Sequence, residues 1–424
     1  MKLCYLMGLA LALLLPAEAS GQSQSPFDRA PAGPLWRADV AGSRQRAGIE
    51  PAGIRLGGLE VQAAVSETAA GDSNVQRTAA GSQGDAFVIV APQVSATSVS
   101  ANRRIVLQAR AAAYRYARLT SQNRETYALS GDVEFRVTRS TMLAVRASQR
   151  QSFEPFASST ASETVGSPAR YNALRGELGS RTETGNLRVN TLVSLERREY
   201  AAIVDLRGFT ADQSFRDTRT LNLSINGEVA TQTFLTPVFI GDVSTISSLS
   251  PQACCDRTGN AGSVMAGVHA QATPLLAFEL TGGYAFRSFD SGLLKGYSGA
   301  TWRARSEWYP SPLISVTAEV SRSIENGGLR DAAGVVADRW SGKLYYEVRR
   351  NLDAVITVSG AREDYRGTDI IAHDFVTGID LRYAATRHLQ CSAYVYYRDR
   401  TASSPRLPGV GSAIEGGLSL RTAL

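Results

Sequence analysis

Period-two alternation of apolar and polar side chains recurs in segment after segment from Gly53 to Leu424. No other feature narrows so sharply what this chain can fold into. Successive side chains of a β-strand point to opposite faces, so each segment is a strand with one apolar and one polar face. Leu187, Val189, Thr191, Val193 and Leu195 stand against Arg188, Asn190, Ser194, Glu196 and Arg198. Tyr127, Leu129, Val133, Phe135 and Val137 stand against Ser130, Asp132, Glu134 and Arg136. Trp302, Ala304 and Trp308 oppose Arg303, Arg305 and Glu307, and the last segment sets Ile414, Leu418, Leu420 and Leu424 against Glu415, Ser419 and Arg421. The segments predict strands of about 12–16 residues, against roughly 5–6 in globular sheets. A strand crossing a bilayer at a tilt needs about 9–11.

The connections alternate too. Tight ones fall near Arg139-Ser140, Glu183-Thr184, Phe234-Pro237, Thr273-Pro274, Pro310-Pro312, Arg350-Asn351 and Arg387-His388. Between them lie longer polar or Gly-rich stretches at 67–83, 153–168, 203–217, 241–259, 326–338 and 401–411, with brief ones near 119–123, 290–293 and 367–369. Strand, long loop, strand, tight turn is the repeat of a transmembrane up-and-down antiparallel β-barrel with short periplasmic turns and longer extracellular loops. Counting it through gives about eighteen strands, with sixteen as the alternative because the stretch around 237–243 is weakly patterned. In lipid every backbone polar group must pair within the protein, and a closed barrel meets that demand without an edge. A soluble sandwich also alternates, but it does not call for strands this long or for hairpins never interrupted by a helix.

Composition agrees. The 424 residues are 43% hydrophobic with a mean hydropathy of −0.13, too polar for a bundle of membrane helices. The longest stretch without Asp, Glu, Lys or Arg, Thr258 to Phe278, contains Asn260, His269, Gln271 and Pro274 and fails as a spanning helix. Residues 1–19 read as a secretory signal: Lys2 is the positive start, Leu3 to Leu15 the apolar run, and Ala17-Glu18-Ala19 the small-residue cleavage site. Residues 20–51, rich in Pro, Gly, Ala and Arg, read as a flexible periplasmic leader, and 52–424 as the barrel. The net charge of +6 is spread among interleaved acids, so no nucleic-acid patch is predicted. Cys254 and Cys255 are adjacent, either a strained vicinal disulfide or two loop thiols.

No chemistry-bearing motif emerges. His269, His373 and His388 are the only histidines, and none has a partner at metal-ligand spacing, so neither metal nor cofactor is expected. Nucleophile-elbow, phosphate-loop and dinucleotide fingerprints are missing, which argues against an enzyme. The functional candidates are therefore lumen charges: Arg110, Arg136, Arg146, Arg303, Arg305, Glu307, Glu319, Lys343, Glu347, Arg349, Asp380, Arg382 and Arg421. They either tune what permeates or pair with one another to fill the interior. Trp302, Trp308, Tyr309, Trp340 and Tyr383 are the candidates for aromatics at the membrane interface. Arg322 falls on the apolar phase of its strand, near the outer end, where it can reach headgroups.

Four stretches resemble a known family: "AGIRLGGLEVQAAVSETAAGDSNV", "GDAFVIVAPQVSATS", "WYPSPLISVTAEVSRSIENGGL" and "RRNLDAVITVSGAREDYRG". In their order and spacing, over roughly residues 53–424, the chain is similar to β-barrel porins of proteobacterial outer membranes, some of which are associated with exopolysaccharide export. The resemblance implies an integral barrel of a Gram-negative outer membrane, without catalysis. Such a barrel passes small hydrophilic solutes or secreted polysaccharide, or serves as a non-transporting structural or surface-interaction protein. Its implied partners are outer-membrane lipid, the barrel-assembly machinery through the C-terminal strand, and polysaccharide or its export apparatus. Two departures stand out. Ala70-Gly71-Asp72-Ser73-Asn74 lacks the aromatic-acidic pair that the family tends to place before the Asn, and Leu424 ends the chain where an aromatic is common.

Overall fold

The computed structural model describes residues 49, 51, 53–156, 167–204, 210–231, 233–251, 256–407 and 409–424. The expected signal and most of the expected leader lie outside these residues, as do Cys254 and Cys255. Eighteen long strands make one sheet. They are β1 Leu59–Asp72, β2 Asp85–Val99, β3 Arg103–Tyr116, β4 Arg124–Arg136, β5 Thr141–Phe153 and β6 Arg170–Thr184. Then come β7 Leu187–Tyr200, β8 Thr218–Val229, β9 Leu235–Ser248, β10 Gly259–Thr273, β11 Leu276–Arg287 and β12 Tyr297–Ser311. The last six are β13 Ile314–Glu325, β14 Gly334–Arg349, β15 Leu352–Arg366, β16 Ile370–Ala384, β17 Leu389–Ala402 and β18 Gly411–Ala423. A short segment, Ile54–Leu56, folds back onto β1, and Ile203–Val204 pairs with Thr210–Ala211 within one loop.

Each strand pairs antiparallel with its neighbours in the chain. The first strand pairs with the last, from Ala64 opposite Ala423 to Asp72 opposite Glu415, which closes the sheet on itself. Lengths of 12 to 16 residues fall where the alternation placed them. The weakly patterned stretch is β9, whose inward Val238 and Ile246 are apolar as well as its outward Phe239 and Val243. The strand is there nonetheless, so the count is eighteen. One tight turn, Ser100–Asn102, has no Pro or Gly to announce it; Ser100 N–H donates to Arg103 O (2.8 Å). In the turn after β6, Gly185 adopts φ +56°, a value that L-residues other than Gly rarely accept.

Following the paired positions once around the sheet returns to the starting strand about 22 residues further along. With ordinary strand spacing and rise, that shear tilts the strands by about 40° and sets the backbone diameter at about 35 Å. Side chains on both walls then leave a bore of roughly 20 Å.

The phase of alternation survives every strand-to-strand step. The outward positions therefore form one belt, and it is apolar: Val65, Val88, Leu107, Leu129, Val145, Leu178, Val193, Leu223, Val243, Val264, Leu280, Trp308, Val320, Trp340, Ile356, Ile379, Val395 and Leu418 are all exposed there. On β14 it runs from Val348 up to Trp340, where the next outward residue is Asp338. Adding the step to the turn, this spans roughly 20–25 Å along the barrel axis, the height of a hydrocarbon core. At its loop-side edge the outward residues Arg322, Asp338, Arg362 and His373 stand in register on β13 to β16. Arg322 grips Asp338 through Nε and Nη2 (2.6 and 2.7 Å), so this outward arginine is neutralised where the apolar belt ends.

Candidate functional site: a charged lumen and its loop-covered mouth

The same phase puts twelve of the thirteen lumen candidates on the inner face; Arg349 is the exception, because it follows the register shift at Glu347/Arg349 and stands opposite Leu352, in phase with outward Tyr383. The structure divides the twelve into two groups. In the first, charges meet within a strand or across neighbouring strands. Arg303 Nη2 donates to Glu319 Oε2 (2.9 Å), and Arg305 bonds Glu307. Arg146 bonds Asp132 and lies 3.5 Å from Glu177. Asp380 accepts from Tyr396 Oη (2.5 Å), and Glu347 donates its backbone N–H to Leu313 O (2.8 Å) in the turn after β12 while its side chain is buried. Partners that the sequence did not single out extend this ladder: Arg175 reaches both Glu177 (2.8 Å) and Glu196 (3.1 Å).

In the second group are Arg110, Arg136, Lys343, Arg382 and Arg421. Among the described residues none of these makes a side-chain hydrogen bond or an ion pair. Arg136 is the last residue of β4, and Arg382 and Arg421 lie two residues from the ends of β16 and β18. With Arg110 and Lys343 in mid-strand, three of these five unpaired cations thus stand at the tight-turn end of the lumen. One acid there, Glu279 on β11, is likewise without an ion pair.

The aromatic candidates need one correction. Trp302, Trp308, Trp340 and Tyr383 are on the outer face, and Trp308, Trp340 and Tyr383 are well exposed there. Tyr309 is not. It is in phase with Arg305 and Glu307, is 7% exposed, and donates its hydroxyl to Glu307 Oε2 (2.8 Å) inside the barrel. Period two forces this, because neighbours in a strand cannot share a face. Trp340 and Trp302 also lie in mid-strand rather than at a turn. Trp340 lies flat over Gly360, where a Cβ would come within 2.7 Å of the indole, and meets Phe375 at 6.2 Å between ring centroids.

At the opposite end, long loops close over the mouth. The longer stretch 241–259 is not all loop, since β9 runs straight through to Ser248. The inward loop is 326–333. Its Leu329 and Ala332 are fully buried against the inner-wall residues Val335, Ala337, Tyr365, Ile370 and Ala372, with Leu407 from the loop after β17. Three other loops hold it. Arg257 Nη2 donates to Leu329 O (2.5 Å) and Ala332 O (3.2 Å). Arg330 Nη2 donates to Asp212 O (3.4 Å), with its guanidinium 4.8 Å from the Phe215 ring centre. Arg406 forks onto Asp331 (2.8 and 3.1 Å).

Under the loop lies a chain of buried charges. Glu325 and Glu363 flank Arg339 (2.9 and 3.5 Å), and Arg400 joins Glu363 (2.9 Å) to Asp374 (3.2 Å). None of this could be read from the sequence, since Leu329 is a lone apolar residue in a Gly-rich polar stretch and carries no period.

The hydrogen bonds from Arg406 hold the Asp331 carboxyl below the usual 3.8. A depressed carboxyl contributes its tie above its unfolded pKa and loses it as pH falls through the lowered value. Wild-type barrel is therefore expected to loosen loop 326–333 only below about pH 4. Asp331→Asn should be loosened at every pH. Tryptic cleavage after Arg330 in lipid vesicles, followed from pH 7 to 3 with a pH-matched protease control, reads this. Identical cleavage profiles for the two proteins would disprove the tie. The effect is small, because both side chains are about half exposed.

A closed antiparallel barrel, apolar all round outside and charged all round inside, is an outer-membrane β-barrel of the porin kind. The chain belongs to the family described as Putative beta-barrel porin 2, whose model matches residues 46–408, and its place is the Gram-negative outer membrane. Among solved structures it is similar to OccK2 (OpdF) of Pseudomonas aeruginosa, with 10% identity, 86% of this chain and 97% of that one covered, and a TM-score of 0.49. It is also similar to the siderophore receptor PiuA from Acinetobacter baumannii, with 8% identity, 87% and 82% covered, and a TM-score of 0.47. The ferric enterobactin receptor PfeA of Pseudomonas aeruginosa, crystallised as a mutant, shows 8% identity, 85% and 80% covered, and a TM-score of 0.44. No curated protein matches the chain in sequence.

Proposed function

We propose that this barrel is a water-filled, anion-preferring channel for small hydrophilic solutes or for secreted polysaccharide, without catalysis. The observation that carries the reading is the set of unpaired cations toward the tight-turn end. A charged side chain without a partner is stable only in contact with water, so the lumen there is wet. Charges of one sign around a bore favour the opposite ion. The tight turns face the periplasm and loop 326–333 the exterior. The barrel-assembly machinery takes the C-terminal strand, whose Leu424 points outward and donates its N–H to Ala63 O (2.9 Å).

The detergent-purified mature chain, placed in a planar bilayer, is expected to give stable conductance steps with anions favoured over cations in a salt gradient. Arg382→Gln with Arg421→Gln should move the reversal potential toward cations without loss of the steps. A folded, heat-modifiable barrel that conducts nothing would overturn the channel reading. A second reading, a non-transporting structural or surface-interaction barrel, is favoured by the loop ties at the mouth. It would gain if replacing loop 326–333 by a short Gly-Ser turn left conductance unchanged, where the channel reading expects a severalfold rise.

A further inference from the structure

Among the described residues two arginines at the mouth are buried without an ion pair. Arg257 is 4% exposed and Arg287, at the end of β11, is 3% exposed. Arg287 Nη2 donates to Arg257 O (2.7 Å), which ties the pair together, and its guanidinium lies 4.6 Å from the Phe289 ring centre. Neither makes an ion pair, and Nε and Nη1 of both are buried without a hydrogen-bond partner. Asp256, beside Arg257, is engaged by Thr258 through N–H (2.9 Å) and Oγ1 (2.7 Å), and Asp290, three residues after Arg287, acts on Arg287 without forming an ion pair with it. Nearby Arg216 adds positive charge but is bonded to Glu154 (2.5 Å). Arg257 meets oxygen only at the carbonyls of Leu329 and Ala332. Burial, with Arg216 and Arg287 close by, pulls Arg257 down to about 10, so it still carries its charge at neutral pH.

Neighbouring buried cations with no ion-pair partner repel and are poorly solvated. Holding a loop by its carbonyls needs only neutral donors. Two forked guanidiniums suit an oxyanion, which both charges and the orphaned N–H groups would satisfy. We infer that Arg257 and Arg287 form an oxyanion-binding site, occupied in the closed mouth by two carbonyl oxygens of loop 326–333. A solute bearing a carboxylate or a phosphate competes for these donors, displaces the loop and widens the entrance. This rests on the channel reading and names the class of solute that opens it.

The test uses the detergent-purified mature chain and calorimetric titration with inorganic phosphate, glucuronate and glucose at constant chloride. Phosphate or glucuronate is expected to bind saturably and glucose not at all. Binding of phosphate alone assigns the site to phosphoryl groups, and binding of glucuronate alone assigns it to sugar acids. Arg257→Gln and Arg287→Gln should each weaken binding about tenfold or more. Heat-modifiable migration confirms folding. If Arg257→Gln does not fold, Arg257→Lys, which keeps the charge and loses the fork, carries the same expectation.

In planar bilayers the bound anion should raise the conductance of wild type and leave that of the folded variants unchanged. No saturable binding, or equal binding by wild type and both variants, would overturn the site. Binding in a barrel that conducts nothing would sink the channel reading and leave the site standing; conduction without binding would do the reverse.

Discussion

Arg400→Met should cost the barrel about 3–5 kcal/mol. Arg400 is 2% exposed and binds Glu363 (2.9 Å), Asp374 (3.2 Å) and the hydroxyl of Tyr365 (3.2 Å). Methionine fills most of its volume but leaves two carboxylates facing each other, with only Arg339 near. Removing one partner of a buried network costs more than the network itself contributes, because the remaining charge is stranded. The double variant Arg400→Met, Glu363→Gln should recover part of the loss. Guanidinium unfolding in phospholipid vesicles, followed by tryptophan fluorescence, measures both. An Arg400→Met midpoint equal to wild type would mean that water already reaches the network and that the mouth is not closed over it.

The second large effect belongs to the outer belt. Leu223 on β8 lies in mid-strand between Val193 and Val243, its register partners on β7 and β9. All three are exposed on the outer face. Leu223→Arg places a charge near the bilayer midplane and is expected to cost about 2–4 kcal/mol. Asn222→Arg, one residue away and facing the lumen, should cost less than about 1 kcal/mol. The same unfolding assay compares the two. Equal costs would mean that Leu223 does not face lipid, and the assignment of inner and outer faces would fall with it.

Those faces were legible in the sequence because period two is a local rule and the membrane enforces it on every strand. The alternation at Leu187 to Arg198 is the alternation of β7 in the folded barrel, and likewise for β4, β12 and β18. Tyr309 was misread although the rule covers it: next to Trp308 it looks like half of an aromatic pair, yet its phase is that of Arg305 and Glu307. The phase was the better signal. β9 was faint because its inner residues Val238 and Ile246 are apolar too.

What the sequence could not show depends on contacts between distant loops. Arg257, in the loop after β9, is buried by Leu329 and Ala332 from the loop after β13. Arg400 meets Glu363 from a strand two places away. No spacing within one segment encodes such meetings. The division of lumen charges into paired and unpaired is of the same kind, since it depends on cross-strand register. Arg303 finds Glu319, while among the described residues Arg136 and Arg421 make no ion pair.

The unbroken phase of the eighteen strands also governs how such a gene can change length. One residue gained or lost inside a strand would turn the rest of that strand inside out, carrying charge to lipid and leucine to water. Insertions and deletions are therefore confined to the connections, to pairs of residues, or to places where a bulge absorbs the odd one. Three such irregularities are present, at Gln271/Thr273, Trp308/Ser311 and Glu347/Arg349, and all three lie at the tight-turn ends of their strands. Descendants of this chain can drift in sequence almost without limit while their gaps keep to the loops and the turn-side rim.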